Sequence, residues 1–320
     1  MALPIRKILD LLAENIRRAG LPIPISNKFI YQWAEPLDIP HGGETVLYTG
    51  ALYQLMPYTK ALVSLLEDLE GKKGAGLLLK VAGKIGKVID LSGITSRLAK
   101  KDAEFYQEAL SVIAKLLSRA EVNYGYLYEQ DMYSGALLYD LGLLNDFAKH
   151  AQKVYAQIKG AGVRKIITVD PHTLYMLRTV FPKYIEEYNL EVVSYLEVLS
   201  GKMPFFKGGL KGEEVVLHDP CLYARFQAVV DQPRELISTA GFKVKEPQWS
   251  REMTFCCGGL MESIAPKLAK YIASERMNQL REKGKRVVTM CPICHVNLSR
   301  VAPSDVEVYD LAFLFKDIVG

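Results

Sequence analysis

The chain has 320 residues, of which 49% are hydrophobic and 24% charged, with a formal net charge of +4. That length suits one large domain or two ordinary ones, and the apolar share excludes wholesale disorder. A charge excess this mild, spread through the chain, argues against a nucleic-acid partner.

The first twenty residues, MALPIRKILDLLAENIRRAG, carry Arg6, Lys7, Arg17 and Arg18 through an apolar stretch. They read as an amphipathic helix rather than a secretory leader, and they open a helical arm expected over 1–42. No apolar run reaches the ~18 residues that a membrane span needs. The expected location is therefore cytoplasmic, with peripheral attachment to the inner membrane face through a partner subunit.

Short Val- and Ile-rich runs follow, several ending at Gly, Pro or Asp: TVLYTG (45–50), RKIITVD (164–170), LEVVSYL (190–196), EVVLHDP (214–220), KRVVTM (285–290) and DVEVYDL (305–311). Each predicts a buried strand. Helical patterns at 102–121 and 265–284 lie between them, and this alternation predicts an α/β fold with mainly parallel sheets. Within 74–101, Leu78, Val81, Ile85, Val88 and Ile89 follow helical spacing while Lys80, Lys84 and Lys87 gather on another side. A helix packed on its own domain is the ordinary reading, and docking to a membrane surface or subunit is the other. The Gly/Pro/Lys-rich connector at 200–213 marks a boundary between halves.

The halves resemble each other. Residues 164–182 lie over 285–303 without a gap, matching at Thr168/Thr289, Pro171/Pro292, Leu177/Leu298, Val180/Val301 and Pro182/Pro303. Five identities in nineteen positions compare with about one expected from ordinary residue frequencies. Residues 44–53 likewise lie over 214–223, and MYSGALL (132–138) over FCCGGLM (255–261). Two pseudo-repeated α/β units with small sheets are expected, the first over 43–204 with a helical insertion at 60–121, the second over 205–320.

All five cysteines, Cys221, Cys256, Cys257, Cys291 and Cys294, fall in the second unit, spaced C-x34-CC-x33-C-P-x-C. The first unit has Ala51, Tyr133, Ser134, Asp170 and Thr173 at the matching places. An odd count in an unsecreted chain argues for metal or redox work rather than a disulfide framework. Each cysteine group adjoins a strand end, so loops at the carboxyl edge of a parallel sheet would gather them in one crevice. Gly258 and Gly259 permit positive φ and close backbone approach beside the vicinal pair. A thioredoxin-type dithiol would need only Cys291 and Cys294. A structural zinc site would use four thiolates and strand the fifth. An iron–sulfur assembly uses all five and gives the adjacent pair a purpose.

HDPC (218–221), CCGG (256–259) and CPIC (291–294) resemble the cysteine-rich CCG domain in the B-type component of heterodisulfide reductase. The same pattern occurs in the D-type component, in DsrK-type proteins and in iron–sulfur subunits of glycolate, lactate and glycerol-3-phosphate dehydrogenases. The resemblance covers nearly the whole chain, although the second cysteine gap is shorter than usual. It implies a noncubane [4Fe-4S] cluster held by the five cysteines, with Gly258 and Gly259 lining it. Where the family carries two cluster-bearing repeats, this sequence has cysteines in only one, so one cluster is expected. No CxxCxxCxxxCP ferredoxin run is present, so the resemblance implies separate partners: a ferredoxin-like iron–sulfur subunit, and a flavoprotein or membrane cytochrome b. It further implies thiol–disulfide oxidoreduction on a small thiol/disulfide or protein thiol, with a non-catalytic electron relay as the alternative. Zinc in an interaction module is the alternative from another class.

Two histidines sit beside these cysteines, His218 and His295, and either is a candidate proton donor to a departing thiolate. His172 lies in the cysteine-free loop and reads as structural. Arg225 and Arg251 favour an anionic group if they face one, although solvated arginine is the ordinary state.

Overall fold

All six Val- and Ile-rich runs form strands. In the four central ones, Thr45–Tyr48, Lys165–Thr168, Glu214–Leu217 and Arg286–Thr289, the middle residues are apolar on both faces, whereas Glu191–Ser194 and Glu307–Asp310 are half-buried sheet edges. Val46, Leu47, Ile166, Ile167, Val215, Val216, Val287 and Val288 are each at most 1% exposed, as expected for parallel strands covered on both sides. The structure is a computed structural model and describes residues 3–23, 25–70, 91–202 and 212–319. Among these, β1 (Thr45–Tyr48), β2 (Gly125–Tyr126), β3 (Lys165–Thr168) and β4 (Glu191–Ser194) make one sheet. A second sheet holds β5 (Glu214–Leu217), β6 (Lys243–Lys245), β7 (Arg286–Thr289) and β8 (Glu307–Asp310). Their orders are β2-β1-β3-β4 and β6-β5-β7-β8, with every pairing parallel. The two sheets therefore share one topology.

Register makes the kinship of the units concrete. Val46 pairs with Ile166 in the first sheet, and Val216 pairs with Val287 in the second. Shifting Val46 by 170 positions and Ile166 by 121, the offsets that align the sequences, gives those same two residues. Gly135 and Gly258 also match, with φ of 82° and 81°.

Two strands escape sequence reading, and both are sheet edges. Gly125–Tyr126 is only two residues long, and Lys243–Lys245 alternates exposed lysines around a half-buried valine. Neither has the apolar run that marks a central strand.

The helices used below are α1 (Ile5–Ala19), α2 (Leu52–Leu69), α3 (Leu91–Arg119), α4 (Pro266–Arg281) and α5 (Pro292–Ser299); others, including Leu144–Gly160 and Asp231–Thr239, lie between them. The predicted amphipathic start is α1, which buries Ile8, Leu12, Ala13 and Ile16 at helical spacing. In the first unit the connection from β1 to β2 runs 49–124, against 218–242 from β5 to β6 in the second, and α2 and α3 fill the longer path. Of the basic segment 74–101, residues 74–90 lie outside the described residues, and 91–101 begin α3. Residues 203–211 of the predicted connector also lie outside them. No helix among the described residues is long and apolar enough to cross a membrane.

The units lock together by an exchange of tyrosines. Tyr53 follows β1 and donates its hydroxyl to Asp310 Oδ2 at the end of β8, at 2.8 Å. Its repeat partner Tyr223 follows β5 and meets Ser194 Oγ at the end of β4, at 3.1 Å. Each unit's tyrosine thus reaches the last strand of the other, and one continuous core spans both. Tyr53→Phe should cost about 2 kcal/mol, in the range for a bond to a buried carboxyl group, and Tyr223→Phe only about 1. Urea denaturation of the two variants checks that ranking.

Candidate metal centre

Three loops at the carboxyl edge of the second sheet carry the cysteines. β5 ends at Leu217; His218 follows, its N–H bonded to Val288 O, and then Cys221 opens a π-helical turn, Leu222–Phe226. Such turns inside helical segments recur at functional sites. β7 ends at Thr289, and Cys291 then sits at the N-cap of α5 with Cys294 one turn inside. Pro292 occupies the first position of α5, where a missing N–H costs nothing.

The vicinal pair comes on a loop shaped by its glycines. Gly258 has φ of 81°, and a Cβ there would lie 2.4 Å from Ala269 O in α4. Gly259 does not take a positive φ, which corrects half of the sequence expectation. Its Cβ would lie 2.5 Å from Ile293 Cγ2 and 3.3 Å from Cys257 Sγ, so close approach to α5 is the reason for glycine. Arg225 braces the loop by donating to Glu252 O and Thr254 O, and Arg251 pairs with Asp231 at the surface. Neither arginine has the cysteines as its hydrogen-bond partners.

The five thiols are all free and form one continuous group. Cys221 neighbours Cys256, Cys256 neighbours Cys257, Cys257 neighbours Cys294 and Cys294 neighbours Cys291, each pair close enough to shift the other's ionisation. Cys257, Cys291 and Cys294 are buried, whereas Cys221 and Cys256 are partly exposed. Protons are shared unequally across this chain. Hydrogen bonds from Cys221 and Cys257 draw Cys256 well down, and the same bonds raise Cys221 and Cys257. Burial pushes Cys291 up, but Cys294 and His172 bring it down to about 5. Bonds to Cys257 and Cys291 raise Cys294. Five adjacent thiolates, three of them buried, repel one another, and a multivalent cation is what would let all of them ionise.

The histidines divide by their second nitrogen. His218 belongs to the group: one of its ring nitrogens and the sulfurs of Cys257 and Cys294 all lie within 4.8 Å of one another. Arg276 Nε donates to His218 Nδ1 at 3.1 Å, leaving Nε2 without a partner among the described residues. Burial, and then the Arg276 charge, hold His218 well below its usual pKa, so it stays neutral. His295 is committed elsewhere. Its Nδ1 lies 2.7 Å from Tyr106 Oη, its Nε2 lies 3.1 Å from Val308 O, and its ring stacks on Phe105 of α3. Burial lowers its pKa to about 4. The expectation that His295 supplies a proton is thereby corrected: it pins α3 to the second unit.

Three further groups complete the surroundings: His172, which the sequence reads as structural, and Arg276 and Glu262, which it does not single out. His172 reaches across from the first unit to Cys291; burial lowers its pKa, yet the bond to Cys291 and the charges of Asp140 and Asp170 raise it to about 9. It is therefore not only structural. Arg276 is wholly buried, with Cys294, Cys257 and Cys256 among the charges that act on it. Its sequence signal was present: Ala269, Ala273, Met277 and Leu280 form the buried stripe of α4, and an arginine stands within it. Glu262 is also buried, with Oε2 unpartnered and its pKa pushed up to about 7 by desolvation.

At the equivalent place in the first unit, protein fills the space. Asp170 caps its helix by accepting from His172 N and Thr173 N at 2.8 and 2.9 Å, where Cys291 makes no such cap. Gly50 sits so close that a Cβ would lie 2.5 Å from Thr173 Oγ1. Ser134 is buried, and the Tyr133 hydroxyl accepts from Leu137 N.

Residues 215–299 match the family model CCG, described as a cysteine-rich domain. The second unit contains a CCG domain. Relatives share more of the chain. An "EtfAB:quinone oxidoreductase" of Syntrophomonas wolfei is 30% identical over 204 residues, covering 59% of this chain and 28% of that protein. "Probable iron-sulfur-binding oxidoreductase FadF" of Bacillus subtilis is 28% identical over 256 residues, 75% of this chain and 36% of the relative. A "Probable membrane-anchored ferredoxin" of Chromohalobacter salexigens is 26% identical over 211 residues, 62% and 31% of the respective chains. The second unit is thus similar to cysteine-rich CCG domains and the chain to iron–sulfur oxidoreductases, while its matches span only 28%, 36% and 31% of these relatives. The CCG domain accounts for all five cysteines and for His218, while His172 is contributed by the other unit.

Proposed function

We propose that this chain is an iron–sulfur oxidoreductase component of an electron-transfer complex. Cys221, Cys256, Cys257, Cys291 and Cys294 would hold one [4Fe-4S] cluster of the noncubane type. The observation that carries the reading is the meeting of the Cys257 and Cys294 sulfurs with a His218 ring nitrogen, all within 4.8 Å of one another, with Cys221, Cys256 and Cys291 interacting electrostatically with the same group. The donor set is soft thiolate throughout, which suits iron–sulfur chemistry. Cationic side chains stand beside it: Arg276, and His172 charged near neutral pH. When bound, the cluster supplies one-electron redox steps, which the two-electron chemistry of a disulfide requires in succession.

The protein's own residues define how that site is reached. Cys257, Cys291 and Cys294 are sealed inside, so access is from the side of Cys221 and Cys256. The turn after Cys221 exposes Phe226, and the adjoining segment before Cys256 exposes Met253, at 57% and 64%. A thiol or disulfide substrate, or a partner passing electrons, would approach over these side chains. His172 is the imidazole that interacts with Cys291, and that interaction raises its pKa and favours its protonated form. The partners that suit this role are a ferredoxin-like iron–sulfur subunit and a flavoprotein or membrane cytochrome b.

Anaerobic purification tests the reading. About four irons per chain, with matching sulfide and broad visible absorption, are expected. A colourless chain carrying zinc would overturn it in favour of a zinc-stabilised module. Titration with thiols and disulfides, followed by EPR of the oxidised protein, then separates catalyst from relay. A spectrum unmoved by every thiol would favour the relay.

A further inference from the structure

Arginine carries five N–H donors and no acceptor, and it does not deprotonate in proteins. Its contact with a neutral histidine therefore has only one sense. Arg276 Nε donates, and His218 Nδ1 accepts at 3.1 Å through its lone pair. The imidazole proton must then sit on Nε2, the nitrogen without a partner among the described residues. Two further bonds hold the guanidinium in this pose, from Nη1 to Trp249 O at 2.8 Å and to Gln279 Oε1 at 2.9 Å. Its Nη2 is also buried without a partner. Two donors, one from each residue, are thus left over in a protein interior where such atoms are normally satisfied. The histidine has a ring nitrogen within 4.8 Å of the Cys257 and Cys294 sulfurs, and the cysteine charges act on the arginine.

A histidine that ligates a metal offers a bare nitrogen lone pair. His218 has none to offer while Arg276 holds Nδ1, because ligation through Nε2 would leave an imidazolate. We propose that His218, fixed by Arg276 as its Nε2–H tautomer, is a hydrogen-bond donor to the sulfurs of the iron–sulfur group and not a ligand to it. Arg276 is the positioning residue, and its own Nη2 adds a second donor from the same side. This rests on the cluster reading above. Hydrogen bonds to sulfur stabilise the more negative, reduced state, so the pair raises the reduction potential.

Two measurements separate this inference from the cluster reading. The first needs no iron: ¹⁵N NMR of the iron-free, histidine-labelled chain reads the tautomer directly. His218 is expected as Nε2–H, and an Nδ1–H signal would overturn the proposal whatever metal the protein takes. The second uses the iron-loaded chain. His218→Phe should retain its iron yet favour reduction about tenfold less, a shift of about 59 mV to lower potential for one electron. His218→Gln, which keeps an N–H donor, should recover part of that shift. Equal potentials for His218→Phe and the unsubstituted chain would refute the donor role.

Arg276→Met frees Nδ1 to take the proton and gives Nε2 a lone pair. Strong ¹⁵N hyperfine coupling, the mark of nitrogen bonded to iron, should then appear in this variant and be missing from the unsubstituted chain. Its presence in the unsubstituted chain would make His218 a ligand and defeat the proposal. Should Arg276→Met fail to fold, the two His218 variants and the NMR signal decide the matter alone.

Discussion

Replacing Cys257 with serine is expected to abolish iron uptake while leaving the chain folded. Cys257 lies between Cys256 on one side and Cys294 on the other, interacting with both, and it is in the group with His218. Serine offers a harder, shorter and protonated donor at that junction, so both neighbours lose their common partner. The fold should survive, because the cost is that of one poorly satisfied buried hydroxyl, about 1–3 kcal/mol. Cys221→Ser is the contrasting variant. Cys221 is the partly exposed end of the chain, and its loss leaves four sulfurs, the number an ordinary cubane requires. It should keep most of its iron with an altered EPR spectrum. Iron and sulfide analysis, alongside circular dichroism, decides between these outcomes. Full iron in Cys257→Ser would rule out the five-sulfur assignment.

Gly258→Ala is expected to destabilise the protein by about 2–5 kcal/mol, more than the matched change Gly135→Ala. Both glycines have left-handed φ, 81° and 82°, and a side chain there costs roughly 1–2 kcal/mol for conformation alone. The two sites differ in what the new side chain meets. At Gly258 the added Cβ would lie 2.4 Å from a backbone oxygen, Ala269 O, so the CCG loop or α4 must move, at a further cost of about 1–3 kcal/mol. At Gly135 the nearest atom is His150 Cδ2 at 2.8 Å, a ring edge that can turn aside. Thermal melts should show a fall of roughly 3–7 °C for Gly258→Ala. Because the displaced loop carries Cys256 and Cys257, iron uptake should fall as well, whereas Gly135→Ala should retain it. Equal effects would mean that the loop has room the geometry denies it.

Much of the fold could be read locally. Strand runs, the amphipathic start and the repeat all depend on residues within one element, and pattern along the chain records that kind of constraint directly. The shared offsets of 170 and 121 positions reappear as strand register, and Gly135 over Gly258 reappears as matching φ. The edge strands at Gly125–Tyr126 and Lys243–Lys245 left no such trace, since a strand half open to solvent needs no apolar run.

By itself, then, the sequence determined the α/β class, the doubling of the unit and the concentration of thiols in one copy. Only the tertiary structure decided what surrounds those thiols. His218, His295 and His172 all lie near cysteines or their repeat counterparts, yet the sequence could not rank them. His295 turns to Tyr106 on α3, His172 crosses from the other unit to Cys291, and His218 is held by an arginine 58 positions away. The role of an imidazole is set by which nitrogen is left over after packing, and the partners that settle this come from distant elements. Adjacency along the chain carries no record of them.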